Sequence, residues 1–216
     1  MMINKSETFD VEYDIISEEN YLHVINIEKI DNSLKNLLDN KISEICYGHP
    51  GRDINVVKKR LLRLLKDDPN HLKGAIAEFF AIVYLKDMGF KQEFLFINLE
   101  ENSAKKGFDG FYTMTNEEWL FESKSGDIDS SGGSHYEKVG LAYRNLKNTV
   151  EGKGVKKNNP WENALNHANN IHINAASNIK QKLTKLADNF ELGKYSKIEN
   201  YNIMPASTIY LNDDWE

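Results

Sequence analysis

Residues 75–85 read Ala-Ile-Ala-Glu-Phe-Phe-Ala-Ile-Val-Tyr-Leu, a segment apolar on nearly every side of a helix. A helix at a protein surface carries an apolar stripe and a polar one, whereas a helix apolar all round must be covered all round. The segment lies in a helix expected over residues 71–88, with Gly89 as its C-cap. Its one charge, Glu78, is the anomaly. Burying an unpaired carboxylate costs on the order of several kcal/mol or drives its pKa upward. Glu78 therefore calls for a partner, and a metal, a water held by one, or Lys124 would serve.

Beyond Gly89 the apolar period changes from helical to two. Strands are expected over residues 94–99, 107–114 and 118–124, the last two joined by the short polar turn Thr115-Asn116-Glu117. A Gly/Ser loop follows over residues 125–134, then helices over 136–150 and 160–189, separated by a loop at 151–159, and a closing strand over 201–211. Sequential strands with tight turns imply an antiparallel hairpin inside a mixed sheet. A strand reached through helices pairs in parallel by a crossover. Upstream, an acidic arm (Glu7, Asp10, Glu12, Asp14, Glu18 and Glu19 against Lys5) leads into a strand over 21–30. Helices are expected over 33–46 and 54–66. The reading is an α/β chain: residues 1–70 form an arm and a mostly helical extension, and residues 71–216 form the core.

Side chains alternate along a strand. Leu120, Glu122 and Lys124 then share one face, and Trp119, Phe121 and Ser123 the other. Asp109 lies on the preceding strand, with Gly107 and Gly110 near it to permit close approach. In a hairpin of these strands, Asp109 and Glu122 meet at one end. Two carboxylates so close repel unless a cation lies between them, and hard Mg²⁺ or Mn²⁺ suits such oxygen ligands. A simple exposed Glu122–Lys124 ion pair is the competing explanation, but it leaves Asp109 and Glu78 unexplained.

Other chemistries find no footing. One cysteine, Cys46, excludes an internal disulfide and a Cys-based zinc site and fits a reducing cytoplasm. The polar, acidic start is unlike a signal peptide, and no apolar run approaches the roughly 20 residues of a membrane span. His167 and His172 lack the spacing of a zinc pair, and there is no GxGxxG, Walker A or GxSxG. The net charge of −6 is unusual for a tight autonomous DNA binder.

The pair Gly107-Phe108-Asp109-Gly110 and Phe121-Glu122-Ser123-Lys124, preceded by a helical glutamate, resembles the PD-(D/E)xK or restriction-endonuclease-like nucleases. The order of elements over residues 71–211 is similar to that superfamily's core of helix, three-strand meander, helix and strand. Within it, the Gly-Phe-Asp-Gly and Glu-Ser-Lys pair most resembles the nuclease subunit of the Hachiman anti-phage defence system. Phe108 stands where the motif has proline. The resemblance implies a Mg²⁺- or Mn²⁺-dependent nuclease with Glu78, Asp109, Glu122 and Lys124 as catalytic residues. Glu78, Asp109, Glu122 and the Ser123 carbonyl would be ligands to one or two ions, and Lys124 would orient or help deprotonate the attacking water. It also implies DNA as substrate, a role in defence or DNA processing, a helicase or other protein partner, and a homodimer for cutting two strands.

Lys138 and Arg144, on the helix after the motif strand, and Lys153, Lys156 and Lys157, in a loop beside Trp161, are candidate nucleic-acid contacts. So are Lys58, Lys59, Arg60 and Arg63, although a solvated helix face explains these equally well. Two alternatives stand beside the nuclease. One is a catalytically inactive binding or regulatory subunit on the same fold; the other is an interaction protein whose acidic arm docks a basic partner or masks the site.

Overall fold

A computed structural model of the chain describes residues 6–66, 72–96, 107–154, 158–169, 173 and 175–211. Strands β1 (Asp10–Ser17) and β2 (Asn20–Asn26) are followed by helices α1 (Asn32–Tyr47), α2 (Ile54–Lys66) and α3 (Leu72–Asp87). Then come β3 (Lys91–Gln92), β4 (Gly110–Met114), β5 (Glu117–Asp127), α4 (His135–Val150), α5 (Pro160–Asn169), α6 (Ser177–Glu191) and β6 (Asn202–Tyr210). The chain is α/β, with a mixed four-stranded sheet in the order β3-β4-β5-β6 and a separate two-stranded sheet β1-β2. β3, β4 and β5 form an antiparallel meander, and β6 joins β5 in parallel. Among the described residues no helix is long and apolar enough to cross a membrane.

Helices cover both faces of the sheet. Phe111 and Leu120, with Ile203 packed against them, face a core shared with α4, α5 and α6. Tyr112 and Phe121, with Trp119, Met204 and Ala206, face a second core built with α1, α2, α3 and Phe9 of the N-terminal segment. The α3 helix is apolar all round because that second core wraps it: Phe79, Ile82, Val83, Tyr84 and Leu85 are buried, and Ala75, Phe80 and Ala81 are partly so. Residues upstream of α3 therefore share α3's core. Cys46 is fully buried in the same cluster.

Several expectations are corrected. The acidic arm is strand β1, hairpinned to β2. Its Val11 and Tyr13 alternate with carboxylates, and both pack toward the core, so the extension contains a sheet as well as helices. The strand expected at 94–99 is the two-residue β3, upstream of it. Phe94, Leu95 and Phe96 are buried without alternation: Phe94 and Leu95 enter one core and Phe96 the other, where Phe96 N–H donates to the Ile45 carbonyl at 3.1 Å. Residues 97–99 lie outside the described residues. β5 runs on to Asp127 because β6 pairs with it that far, which shortens the expected Gly/Ser loop. The helix expected over 160–189 is two helices. Asn169, whose side chain competes for backbone hydrogen bonds, stands where the first helix ends.

Candidate active site

The site arises where β4 stops and β5 does not. Gly110 is the first residue of β4 and pairs with Phe121, whereas β5 continues for six residues with β6 alone beside it. Extending the register by one step sets Asp109 opposite Glu122. Strand edges carry unpaired N–H and C=O groups, and here side chains supply the partners. Asp109 Oδ2 accepts from Ser123 N–H at 2.8 Å. Lys124 Nζ donates to the Ser123 carbonyl at 3.1 Å and to Glu122 Oε1 at 2.5 Å.

Two glycines make this turn of the chain possible. Gly107 has φ +128°, a conformation open to glycine, and a Cβ there would meet Pro160 Cα at 3.3 Å. At Gly110 a Cβ would meet Tyr112 Cε2 at 2.4 Å and Phe121 Cδ1 at 3.2 Å. The Tyr112 ring thus lies across the residue that follows Asp109. The hairpin turn at Thr115 and Asn116 has φ of 48° and 68°, the two positive values of a two-residue primed turn, which sets the register.

Two helices close on β5 from opposite faces. α3 presents Gly74 near Ser125, where a Cβ would stand 3.8 Å from the Ser125 hydroxyl. One residue before, Lys73 forms an ion pair with Asp127, and its carbonyl accepts from the Tyr210 hydroxyl at 2.7 Å. Glu78, one turn further along α3, is half-buried rather than fully enclosed. Its charge acts on both Tyr112 and Lys124. On the other face, Asn145 of α4 donates to Glu122 Oε1 at 3.3 Å. Two helical turns earlier, the Lys138 ammonium lies 2.9 Å from where a Cβ on Gly126 would stand.

The electrostatics follow from this crowding. Burial, then the neighbouring Asp109 charge, pushes Glu122 up to about 7, while Lys124 and Asn145 pull the other way. Burial works against the charge on Lys124, but the carboxylates of Glu122, Asp109 and Glu78 outweigh it and hold its pKa above the usual lysine value. The Tyr112 phenol is raised as well, by burial and then by Glu78 and Asp109.

Asp109, Glu122, Ser123 and Lys124 therefore meet where β4 ends beside the middle of β5, and the charge of Glu78 reaches Lys124 from α3. Among the described residues no three carboxylate, histidine or cysteine side chains converge closely enough to hold an ion by themselves. The donor set that would hold a hard divalent ion is Asp109, Glu122 and the Ser123 carbonyl. Its fit is visible in what sits there: a lysine ammonium bridges one of those carboxylates and that carbonyl.

Lys138 lies at the end of the motif strand, but Arg144 is exposed and folds back along α4, with Nη1 3.3 Å from where a Cβ on Gly140 would stand. Lys156 and Lys157 lie outside the described residues. Trp161, expected to flank them as a stacking surface, is 1% exposed and stacks on Tyr201 at 5.2 Å, so it is closed to a ligand. His167 takes the Leu95 N–H at 3.3 Å and stacks on Phe94, a structural role. Sequence reasoning passes over Asn145, although its spacing of seven from Lys138 places both on one flank of a helix. It also passes over Ser207, which pairs with Lys124 in register and bonds His135 Nδ1 at 2.6 Å; no sequence signal marks it.

No protein-family model, curated protein or solved structure matches this chain.

Proposed function

We propose that this chain is a restriction-endonuclease-like, PD-(D/E)xK nuclease that hydrolyses phosphodiester bonds with Mg²⁺ or Mn²⁺. DNA is the proposed substrate, and anti-phage defence or DNA processing the proposed setting. The observation that carries the reading is the group on β5 where β4 stops pairing with it. Asp109 is bonded to the main chain of Ser123, and Lys124 is held on Glu122 and on the carbonyl between them. The succession α3, β3-β4-β5 meander, α4 and parallel β6 is the arrangement that superfamily's core would have, and it supports the same reading.

Asp109, Glu122 and the Ser123 carbonyl would hold the ion, with Glu78 adding charge from α3. A divalent ion supplies Lewis-acid charge against the phosphoryl oxygens. Lys124, kept protonated by its carboxylate neighbours, is suited to donate to a phosphate oxygen and orient the attacking water rather than to act as a base. Asn145 fixes the Glu122 carboxylate from the opposite face. The net charge of −6 leaves little general attraction for a polyanion, which supports delivery of substrate by a partner such as a helicase.

The test is a cleavage assay. Wild type and Lys124→Ala are incubated with plasmid, single-stranded DNA and RNA in Mg²⁺, Mn²⁺ or EDTA. Metal-dependent cutting by wild type and its loss in a folded Lys124→Ala protein is expected; equal cutting by both removes the assignment. A second reading, an inactive binding subunit on the same fold, is favoured by the absence of a convergent three-ligand group among the described residues. Calorimetric titration with Mn²⁺ separates the two, since an inactive subunit takes up no ion.

A further inference from the structure

The face of β5 that carries Glu122 and Lys124 continues to Gly126. Helix α4 covers this face and runs against the strand. Asn145 reaches Glu122, and Lys138, seven residues earlier on the same flank, reaches Gly126. The Lys138 chain fills the space that a side chain at 126 would need: a Cβ there would meet Lys138 Cε at 2.5 Å and Nζ at 2.9 Å. Gly126 is not among the glycines with positive φ, so space rather than backbone conformation calls for glycine. A glycine inside a strand weakens it and marks a close approach, and here the approaching group is an ammonium.

That ammonium has no counter-ion. Lys138 is half-buried, and among the described residues no carboxylate pairs with it. The neutral Ser130 hydroxyl stands 3.6 Å from the same Cβ point. The other cations along β5 are committed: Lys124 to Glu122, and Lys73 to Asp127 on the opposite face. Holding a cation partly out of water without an opposite charge is unfavourable, and an anion from outside the chain would relieve it. Beside Ser123–Asp127, no strand among the described residues pairs with the edge that β4 leaves.

Two strand residues, about 6.6–6.8 Å, separate Lys124 from Gly126. Neighbouring phosphates of one nucleic-acid strand are a similar span apart, each with one negative charge. We propose that Lys138, laid on Gly126, binds the phosphate next to the scissile one, so that the substrate strand runs lengthwise along β5. Lys124 then meets one phosphate and Lys138 its neighbour. Attachment at two points fixes the reacting phosphate against the ligands of the ion, and the smallest good substrate carries two adjacent phosphates. The inference rests on the nuclease reading of Lys124 and adds a second anchor and a course for the strand.

Binding of a short labelled DNA strand to the full chain in Ca²⁺ at low salt, read by fluorescence anisotropy, tests the contact. Lys138→Gln and Gly126→Ala are each expected to weaken binding about tenfold. Each is also expected to lower the slope of log Kd on log salt by about one. Gly126→Ala keeps every charge and only displaces the Lys138 chain, so its slope reports position, and circular dichroism checks folding. Lys138→Arg is expected to bind more tightly than Lys138→Gln. Variants with the wild-type affinity and slope, or a wild type that does not bind, overturn the proposal. Cleavage in Mn²⁺ tests the register, with a neutral methylphosphonate replacing the phosphate on either side of the cut bond. Wild type is expected to lose about tenfold in kcat/KM at one of the two positions, and Lys138→Gln nothing further there. An equal loss in both proteins overturns the proposal. Binding that depends on Lys138 in a protein that cuts nothing removes the nuclease reading and keeps the phosphate contact.

Discussion

In the metal-free protein, Glu122 should make stability fall as pH rises. Its carboxyl is pushed from an ordinary 4.5 to about 7, first by burial and then by Asp109. A group with a raised acid pKa holds its proton more tightly folded than unfolded. Between pH 4.5 and 7 the native state therefore binds more protons, and stability declines by about 1.4 kcal/mol per pH unit before levelling off above 7. From pH 5 to pH 8 the loss is about 2–3 kcal/mol, a figure that applies here because only 8% of the Glu122 side chain is exposed. Glu122→Gln keeps the shape and removes the titration. Urea unfolding of both proteins in EDTA, at pH 5, 6, 7 and 8, measures the difference directly. The variant is expected to gain about 2–3 kcal/mol on wild type across that range. A difference constant with pH would show that Glu122 is not a buried carboxylate crowded by Asp109, and the electrostatic description of the site would fail. Adding Mn²⁺ at pH 8 should restore wild-type stability and leave Glu122→Gln nearly unchanged.

Asn145→Ala removes a hydrogen bond that favours the charged form of Glu122, so the midpoint of the same pH profile should move up; a fixed midpoint refutes that role. Gly110→Ala puts a methyl 2.4 Å from Tyr112 Cε2 and should cost about 1–3 kcal/mol in urea unfolding, with Tyr112 fluorescence perturbed. Tyr112→Phe deletes a buried hydroxyl that has no hydrogen-bond partner among the described residues, so stability should be unchanged or higher by up to about 1 kcal/mol; a clear loss would reveal a bonded hydroxyl. Thr115→Asn relieves a β-branched residue at φ 48° and should raise stability by about 1 kcal/mol in thermal unfolding.

The parts of the fold that could be read in advance are those where one physical signal dominates. The α2 helix has a strong apolar stripe, and its expected limits, 54–66, are those observed. The alternation of Glu122 and Lys124 against Phe121 and Ser123 follows from the strand period alone, and the two cores on either side of β5 confirm it. Where signals compete, reading fails. In β1 the carboxylates that mark its solvent face also imitate an acidic arm leading into the next strand. At Phe94–Phe96, burial in two different cores imitates a strand. In the site, the residue types at β5 were legible because charges on an apolar strand are conspicuous. Asn145 and Ser207 were not, since uncharged polar residues on a helix or strand are common, and only tertiary packing brings them to Glu122 and His135.

The way β5 is used from both sides restricts how chain length can drift over generations. Even-numbered residues of this strand meet α4 and α6, and odd-numbered ones meet α3. One residue inserted between the Thr115-Asn116 turn and Glu122 would hand Glu122 and Lys124 to the α3 side and turn Phe121 out of its core, so every layer would be miswired at once. Two inserted residues would restore the faces but slide Asp109 away from its partner N–H. Viable length changes in descendants of this chain should therefore collect outside the hairpin, in the loop at 128–134 or the connection at 151–159, and leave the interval from Asp109 to Lys124 constant.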